Sequence, residues 1–194
     1  PAAQLGALAP PPSGCIWAGP KKHAVTTYVR GGALVNFVGI VEQRTWREES
    51  WSRTGDRQEA LADFDGWAPP LLAILEQAEV LHKWALFDRA PLPKWQDGHV
   101  MLLGDAAHPT LPFLAQGANM AMEDAWALAD TVLRGGVAAL PAYQAMRKPR
   151  VIKVIKAAEG NAWRFHLKPG PVRFAAHSVI RLGGRFAPKR MLGA

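Results

Sequence analysis

The residues best suited to chemistry lie between Gly104 and Ala125, in the run GDAAHPTLPFLAQGANMAMEDA. Asp105 follows a short, almost wholly apolar stretch, His99 to Leu103 (HVMLL), which reads as a strand buried on both faces of a parallel sheet. A carboxylate at the carboxyl end of such a strand stands where α/β proteins bind ligands, and it can accept hydrogen bonds from sugar or polyol hydroxyls. Further along, Gly117 and Ala118 lack bulk at the start of a helix, so a ligand can approach backbone N–H groups at the positive end of the helix dipole. An anion or an electron-rich ring would be stabilised there. The plainer alternative makes Gly104-Asp105 a turn, Gly117 a loop residue, and Glu123-Asp124 ordinary acidic residues early in a helix; spacing alone does not separate the two.

These residues need elements to hold them. From Ala118 to Arg134, the apolar residues Ala121, Ala125, Leu128, Ala129 and Val132 recur at helical spacing, Asp130 and Arg134 can pair across one turn, and Gly135-Gly136 supplies the stop. Upstream, Ala24 to Arg30 and Ala33 to Ile40 flank Gly31-Gly32 and read as a β-hairpin. Glu42 to Gly55 reads as a polar strand edge followed by a loop. Short helices are expected over Arg57 to Phe64 and over Leu71 to Gln77, the second opened by Pro69-Pro70. His82 to Phe87 suggests a further strand, ended by Pro91 and Pro93. Pro141 to Met146 and Val151 to Ala158 look helical, with Pro149 marking a kink or break between them. Gly160 to Ala194 is basic, interrupted by Pro and Gly, and has no clear periodicity.

Composition narrows the classes. The 194 residues are 49% hydrophobic and 20% charged, too apolar for a disordered chain. A lone Cys15 excludes a disulfide scaffold and a cysteine-based zinc site, and it favours a reducing, cytoplasmic compartment. The six histidines (23, 82, 99, 108, 166, 177) show no close pair at metal-ligand spacing, so no metal is expected. No Gly-x-Ser-x-Gly is present to suggest a hydrolase. The first 20 residues are uncharged but broken by five prolines, so they read neither as a membrane helix nor as a signal peptide. The net charge of +7 is uneven, since residues 147–194 hold 12 basic residues and one acidic residue, Glu159. A nucleic-acid-binding module is therefore an alternative reading. Against it, the basic residues are dispersed among Pro, Gly and apolar residues, and neither nucleic acid nor membrane is an expected partner.

The run GDAAHPTLPFLAQGANMAMEDAWALAD (104–130) resembles the second FAD-binding motif of the flavin-dependent aromatic hydroxylases, the group A flavoprotein monooxygenases, and particularly of their salicylate-hydroxylase-like members. The hairpin Tyr28 to Phe37 (YVRGGALVNF), the stretch Asp88 to Trp95 (DRAPLPKW) and the late Arg147-Lys148-Pro149-Arg150 resemble successive parts of the same family. The resemblance implies an α+β chain. Its parts would be a portion of a β-sheet substrate domain (1–95), the returning strand and helix of a Rossmann-like FAD domain (96–135), and a basic C-terminal helical region (136–194).

It further implies that Gly104 and Asp105 bind FAD, with Asp105 bonding the ribityl chain. Gly117, Ala118 and Asn119 would place backbone N–H groups near the N1–C2 carbonyl edge of the isoalloxazine, where negative charge develops on reduction. Pro112 and Phe113 fall where the family lines the aromatic substrate's pocket. His23 precedes a strand that faces the substrate in salicylate-type members, making it a candidate for polarising a phenol or binding a carboxylate; the alternative, a surface histidine beside Lys21-Lys22, is somewhat favoured. His108 is expected to be structural. The implied reaction uses NADH or NADPH to reduce FAD and O₂ to hydroxylate an electron-rich ring, the cofactor carrying the hard chemistry. Related flavoproteins are epoxidases, halogenases or reductases, and those reactions remain alternatives, as does a homodimer of the full-length enzyme. No Gly-x-Gly-x-x-Gly follows a strand anywhere in the chain, and the sequence does not begin with Met. The expectation is therefore a C-terminal half that alone binds FAD weakly or not at all and does not turn over.

Overall fold

The computed structural model describes residues 1–43, 53–86 and 89–186. The chain forms an α+β structure that divides into two compact units, one made of residues 1–85 and 165–176, the other of residues 86–164 and 177–194.

The first unit is built on a three-stranded antiparallel meander, β1 (Cys15–Gly19), β2 (Lys22–Val29) and β3 (Leu34–Val41). The expected hairpin is β2–β3, and its connection bends through Gly31 and Gly32 at φ 64° and 94°, values a side chain would resist. Because side chains alternate along a strand, the sheet has two different faces. One carries Trp17, Ala24, Phe37 and Val41, and it packs on Phe64, Leu71 and Leu75 from α1 (Arg57–Asp63), its following turn and α2 (Pro69–Gln77). Asp56 caps α1 by accepting the Glu59 N–H at 2.9 Å, and Pro69-Pro70 open α2. Phe64 packs edge-on against Phe37 and Trp67, with ring centroids 5.7 and 5.0 Å away. Gly39 is what lets it in, since a Cβ there would lie 2.9 Å from the Phe64 ring. The other face carries His23 and Val25, with Ala18 and Ile40 directly opposite His23 in register.

The second unit starts with a two-residue hairpin, β4 (Gln96–Asp97) and β5 (Val100–Met101), and continues through a 3₁₀ turn at Gly104–Ala106 into α3 (Gly117–Gly135) and α4 (Leu140–Phe165). Trp95, Ala107, Met120, Ala127, Tyr143, Val151 and Ile155 form its core. Burial of such side chains contributes about 1.5–3 kcal/mol each.

Several expectations are corrected here. Among the described residues, His99 to Leu103 is not buried in a parallel sheet: Val100–Met101 alone forms a strand, paired antiparallel with β4, and Val100 is 65% exposed. A parallel strand needs flanking partners that no described residue supplies. Pro149 does not break α4, which runs through it. Tyr143, Arg147, Val151, Ile155 and Ala158, buried at spacings of four and three, anchor the helix on both sides of the proline, and that packing offsets the lost hydrogen bond. The proposed strand at 82–87 reduces to one bridge, Thr54 to His82, with Phe87 outside the described residues, as is most of the 42–55 loop. The unassigned C-terminal stretch contains a helix, α5 (Pro171–Phe186). No helix among the described residues is long and apolar enough to cross a membrane.

Candidate functional site

The Gly104–Ala106 turn is shaped by a residue with no side chain. Gly104 adopts φ 56°, and a Cβ on it would approach the Ala121 Cβ to 3.1 Å, so the turn lies directly on α3. Its carbonyl accepts the Ala107 and His108 N–H groups, each at 2.9 Å. Asp105 is thereby left exposed on the outside of the turn while Ala107 and His108 are buried. At the start of α3, a Cβ on Gly117 would sit 3.9 Å from Asp105 Oδ1 and 3.6 Å from Thr110 Cγ2. The carboxylate and the positive end of the helix dipole therefore share one surface. No side chain caps α3, and the Asn119 amide instead donates to Gln116 Oε1 at 3.2 Å. Ala118 and Asn119 are exposed. The chain reaches this point through a 3₁₀ turn in which Pro112 is exposed and Phe113 is buried, followed by Ala115 at φ 51°, a left-handed conformation costing about 1–2 kcal/mol.

Behind the turn lies a buried polar cluster that the sequence reading passed over. Asp124 Oδ2 accepts the Gly104 N–H at 3.0 Å and His108 Nε2–H at 2.5 Å; Oδ1 accepts Arg147 Nε–H at 2.7 Å. Burial works against its charge, but the bonds from Gly104, Arg147 and His108 outweigh it and hold the carboxyl below its ordinary range. Because the carboxylate can only accept, the His108 proton is on Nε2. Its Nδ1 is buried without a partner, as is the Tyr143 hydroxyl, whose ionisation is pushed up by burial and by the Asp124 charge. Arg147 also reaches Glu123 at 2.8 Å, and Arg150 grips Glu123 with two bonds of 2.6 and 2.5 Å. Glu123 is held at a pKa of about 2, chiefly by Arg150.

His23, in the first unit, is buried, which corrects the surface-histidine alternative. The last residue of α4 and the one after it cover it: Nδ1 lies 2.7 Å from His166 Nε2, the Phe165 ring is 5.4 Å away, and His166 Nδ1 lies 2.5 Å from Glu42 Oε1. Burial, then the neighbouring His166, lowers the His23 pKa from 6.5 to about 4. The unfolded chain therefore binds more protons between these values. The stability due to neutral His23 is complete above pH about 6.5 and is lost as pH falls toward about 4. Urea titrations across that window should show stability falling with pH, and His23→Gln should flatten the dependence; an equally steep slope in the variant would contradict this assignment.

The family model described as "FAD binding domain" matches residues 37–158, which include the Gly104 turn, α3 and most of α4. The chain belongs to the FAD-binding domain family. Among curated relatives, it is 39% identical over 171 residues to a 3-amino-4-hydroxybenzoate 2-monooxygenase of Streptomyces platensis, a match covering 87% of this chain and 43% of that protein. Among solved structures, a salicylate hydroxylase substrate complex superposes with TM-score 0.75 at 26% identity, covering 89% of this chain and 45% of that one. HpxO of Klebsiella pneumoniae, complexed with FAD and uric acid, gives 0.76 at 27% identity, covering 96% and 49%. The chain thus spans less than half the length of these relatives.

Within this FAD-binding-domain chain, Asp105 lies beside Gly117 in the second unit, with Ala118 and Asn119 exposed in the same turn of α3 and Gly104 buried. Pro112 and Phe113 lie in the loop between Asp105 and Gly117. His23 belongs to the other unit. The residues missed were Asp124, Arg147, His166 and Glu42. One signal was available: Asp124 stands four residues after Met120 and three before Ala127, a carboxylate on the buried stripe of α3.

Proposed function

We propose that this chain forms part of an FAD-dependent monooxygenase that hydroxylates an aromatic, hydroxybenzoate-like ring, with NADH or NADPH as reductant and O₂ as co-substrate. The observation that carries the reading is the exposed Asp105 carboxylate beside the uncapped start of α3, within the segment matched as an FAD-binding domain. The aminohydroxybenzoate in one relative's name and the uric acid bound in HpxO support a planar, electron-rich ring. In this reading β5 and α3 are the returning strand and helix of the FAD domain, and the first unit belongs to the substrate portion.

The residues present fit a flavin. Asp105 would accept hydrogen bonds from ribityl hydroxyls, and the absent side chain of Gly117 leaves room for a ring against the N–H groups of Gly117, Ala118 and Asn119. When bound, FAD supplies hydride acceptance and oxygen activation. The chain's own contribution is orientation and electrostatics: the helix dipole and amides favour negative charge on the ring's pyrimidine edge. Pro112 and Phe113 would border the substrate. His23, neutral near pH 7, is suited to accept a hydrogen bond from a phenol rather than to hold a proton. The remaining flavin contacts, including those to the ADP half, would come from sequence outside these 194 residues, so the chain alone binds flavin weakly.

An NMR titration with FMN tests this. Its shifts should concentrate on the amides of Asp105, Gly117, Ala118 and Asn119, and Asp105→Ala should weaken binding by about 10- to 100-fold, the worth of hydrogen bonds to a charged acceptor. Shifts absent from residues 104–119, or unchanged affinity in the variant, would overturn the reading.

A further inference from the structure

Three segments meet on the Asp124 carboxylate. It takes the backbone N–H of Gly104 from the turn, the ring of His108 from the loop beyond it, and the guanidinium of Arg147 from α4. Asp124 and His108 are 0% and 1% exposed, so these bonds do not compete with water. Asp105 is one of the three residues between these two donors, and its carboxylate lies beside Gly117 at the start of α3.

We infer that Asp124, acting through Gly104 and His108, is a positioning residue that sets Asp105 against the N-terminus of α3 and so determines how well that surface holds a flavin ribityl chain. The last step rests on the flavin reading above; the placement of Asp105 does not. Two further features support it. His108 keeps one buried nitrogen without a partner, so its single hydrogen bond, to Asp124, fixes the ring where it packs on Trp95 at a centroid distance of 5.0 Å. Gly104 also lies close enough to α3 that a side chain on it would meet Ala121 Cβ at 3.1 Å, so this position of the turn needs a glycine. A turn that lies on the helix and is tied at both ends to one carboxylate has a single position.

The test compares Asp124→Asn with Glu123→Gln, which alters the neighbouring carboxylate and the same arginines but leaves Gly104 untouched. In Asp124→Asn, exchange of the Gly104 amide should accelerate about tenfold or more, the value of one hydrogen bond to a charged acceptor. The NOE between the Asp105 side chain and Gly117 should disappear, and FMN affinity should fall about tenfold; Glu123→Gln should stay within about twofold of the parent in all three. If Asp124→Asn does not fold by circular dichroism, His108→Gln and His108→Ala replace it. Gln keeps an N–H donor toward Asp124 and should retain Gly104 protection and FMN affinity, whereas Ala should lose both. A protected Gly104 and an intact Asp105–Gly117 NOE in Asp124→Asn, or an equal loss in Glu123→Gln, would overturn the inference. A parent chain that gives no FMN shifts at 104–119 would refute the flavin reading alone, and the exchange and NOE measurements would still decide the placement.

Discussion

Replacing Arg147 by Met should lower the stability of the chain by about 3–5 kcal/mol, the cost of removing one partner from a buried ion pair. Arg147 is 7% exposed and Asp124 is fully buried, so the variant leaves a carboxylate in the core with only the Gly104 N–H and His108 to satisfy it. Methionine fills much of the volume, and the loss therefore measures the charge rather than a cavity. Adding Asp124→Asn to Arg147→Met should recover part of the loss, because the stranded charge is then gone. Arg150→Ala makes the contrast. That arginine also binds a carboxylate of α3, Glu123, but in water, and such pairs contribute about 0–1 kcal/mol. Urea unfolding followed by circular dichroism separates the two; similar losses in Arg147→Met and Arg150→Ala would mean that water reaches Asp124.

In the first unit the largest loss is expected from Phe64→Ala, about 3–5 kcal/mol for deleting a buried aromatic ring. Phe64 is 3% exposed and wedged between Phe37 and Trp67 over Gly39. The same geometry yields a sign test. Gly39→Ala alone should cost about 1–3 kcal/mol, since its new methyl would meet the Phe64 ring at 2.9 Å. In the Phe64→Ala background only the contact with the Phe37 ring, also at 2.9 Å, remains, so the cost of the methyl should fall without vanishing, a departure from additivity. Additive losses in the double variant would show that Phe37 rather than Phe64 excludes a side chain at position 39.

These two clusters also show where the sequence was readable. The β2–β3 hairpin and α1 and α2 followed from strand-forming runs, a glycine pair, an Asx cap and a proline pair, signals that act within a few residues. The span of α3 was equally plain, and Asp130 does pair with Arg134 at 2.7 Å. Its orientation was not. The apolar residues at helical spacing, Ala121, Ala125, Leu128, Ala129 and Val132, do not mark its buried side, which is the stripe of Met120, Asp124 and Ala127, with Leu128 packed beside it. Alanines are a weak guide to burial, and a charged residue is presumed to face water until its partner is known; that partner, Arg147, lies far away in sequence. The surface alternative for His23 failed for the same reason: His23 is buried because residues 165 and 166 return to it from far along the chain. Of the kink or break expected at Pro149, the break does not occur, because helix propensity is local whereas the stripe that holds α4 together is tertiary.

The Gly104–Ala106 turn divides its residues cleanly. Those that fix it, Gly104, His108, Asp124 and Arg147, are buried, whereas Asp105, Pro112, Ala118 and Asn119 are exposed. Scaffold and working surface therefore draw on separate positions, and a mutation at an exposed one leaves the scaffold's hydrogen bonds intact. Positions 112, 118 and 119 can therefore change without disturbing the scaffold, and a combinatorial library confined to them keeps most of its members folded. The inner set has no such latitude: each of its members is tied to another, so change there must come in compensated pairs.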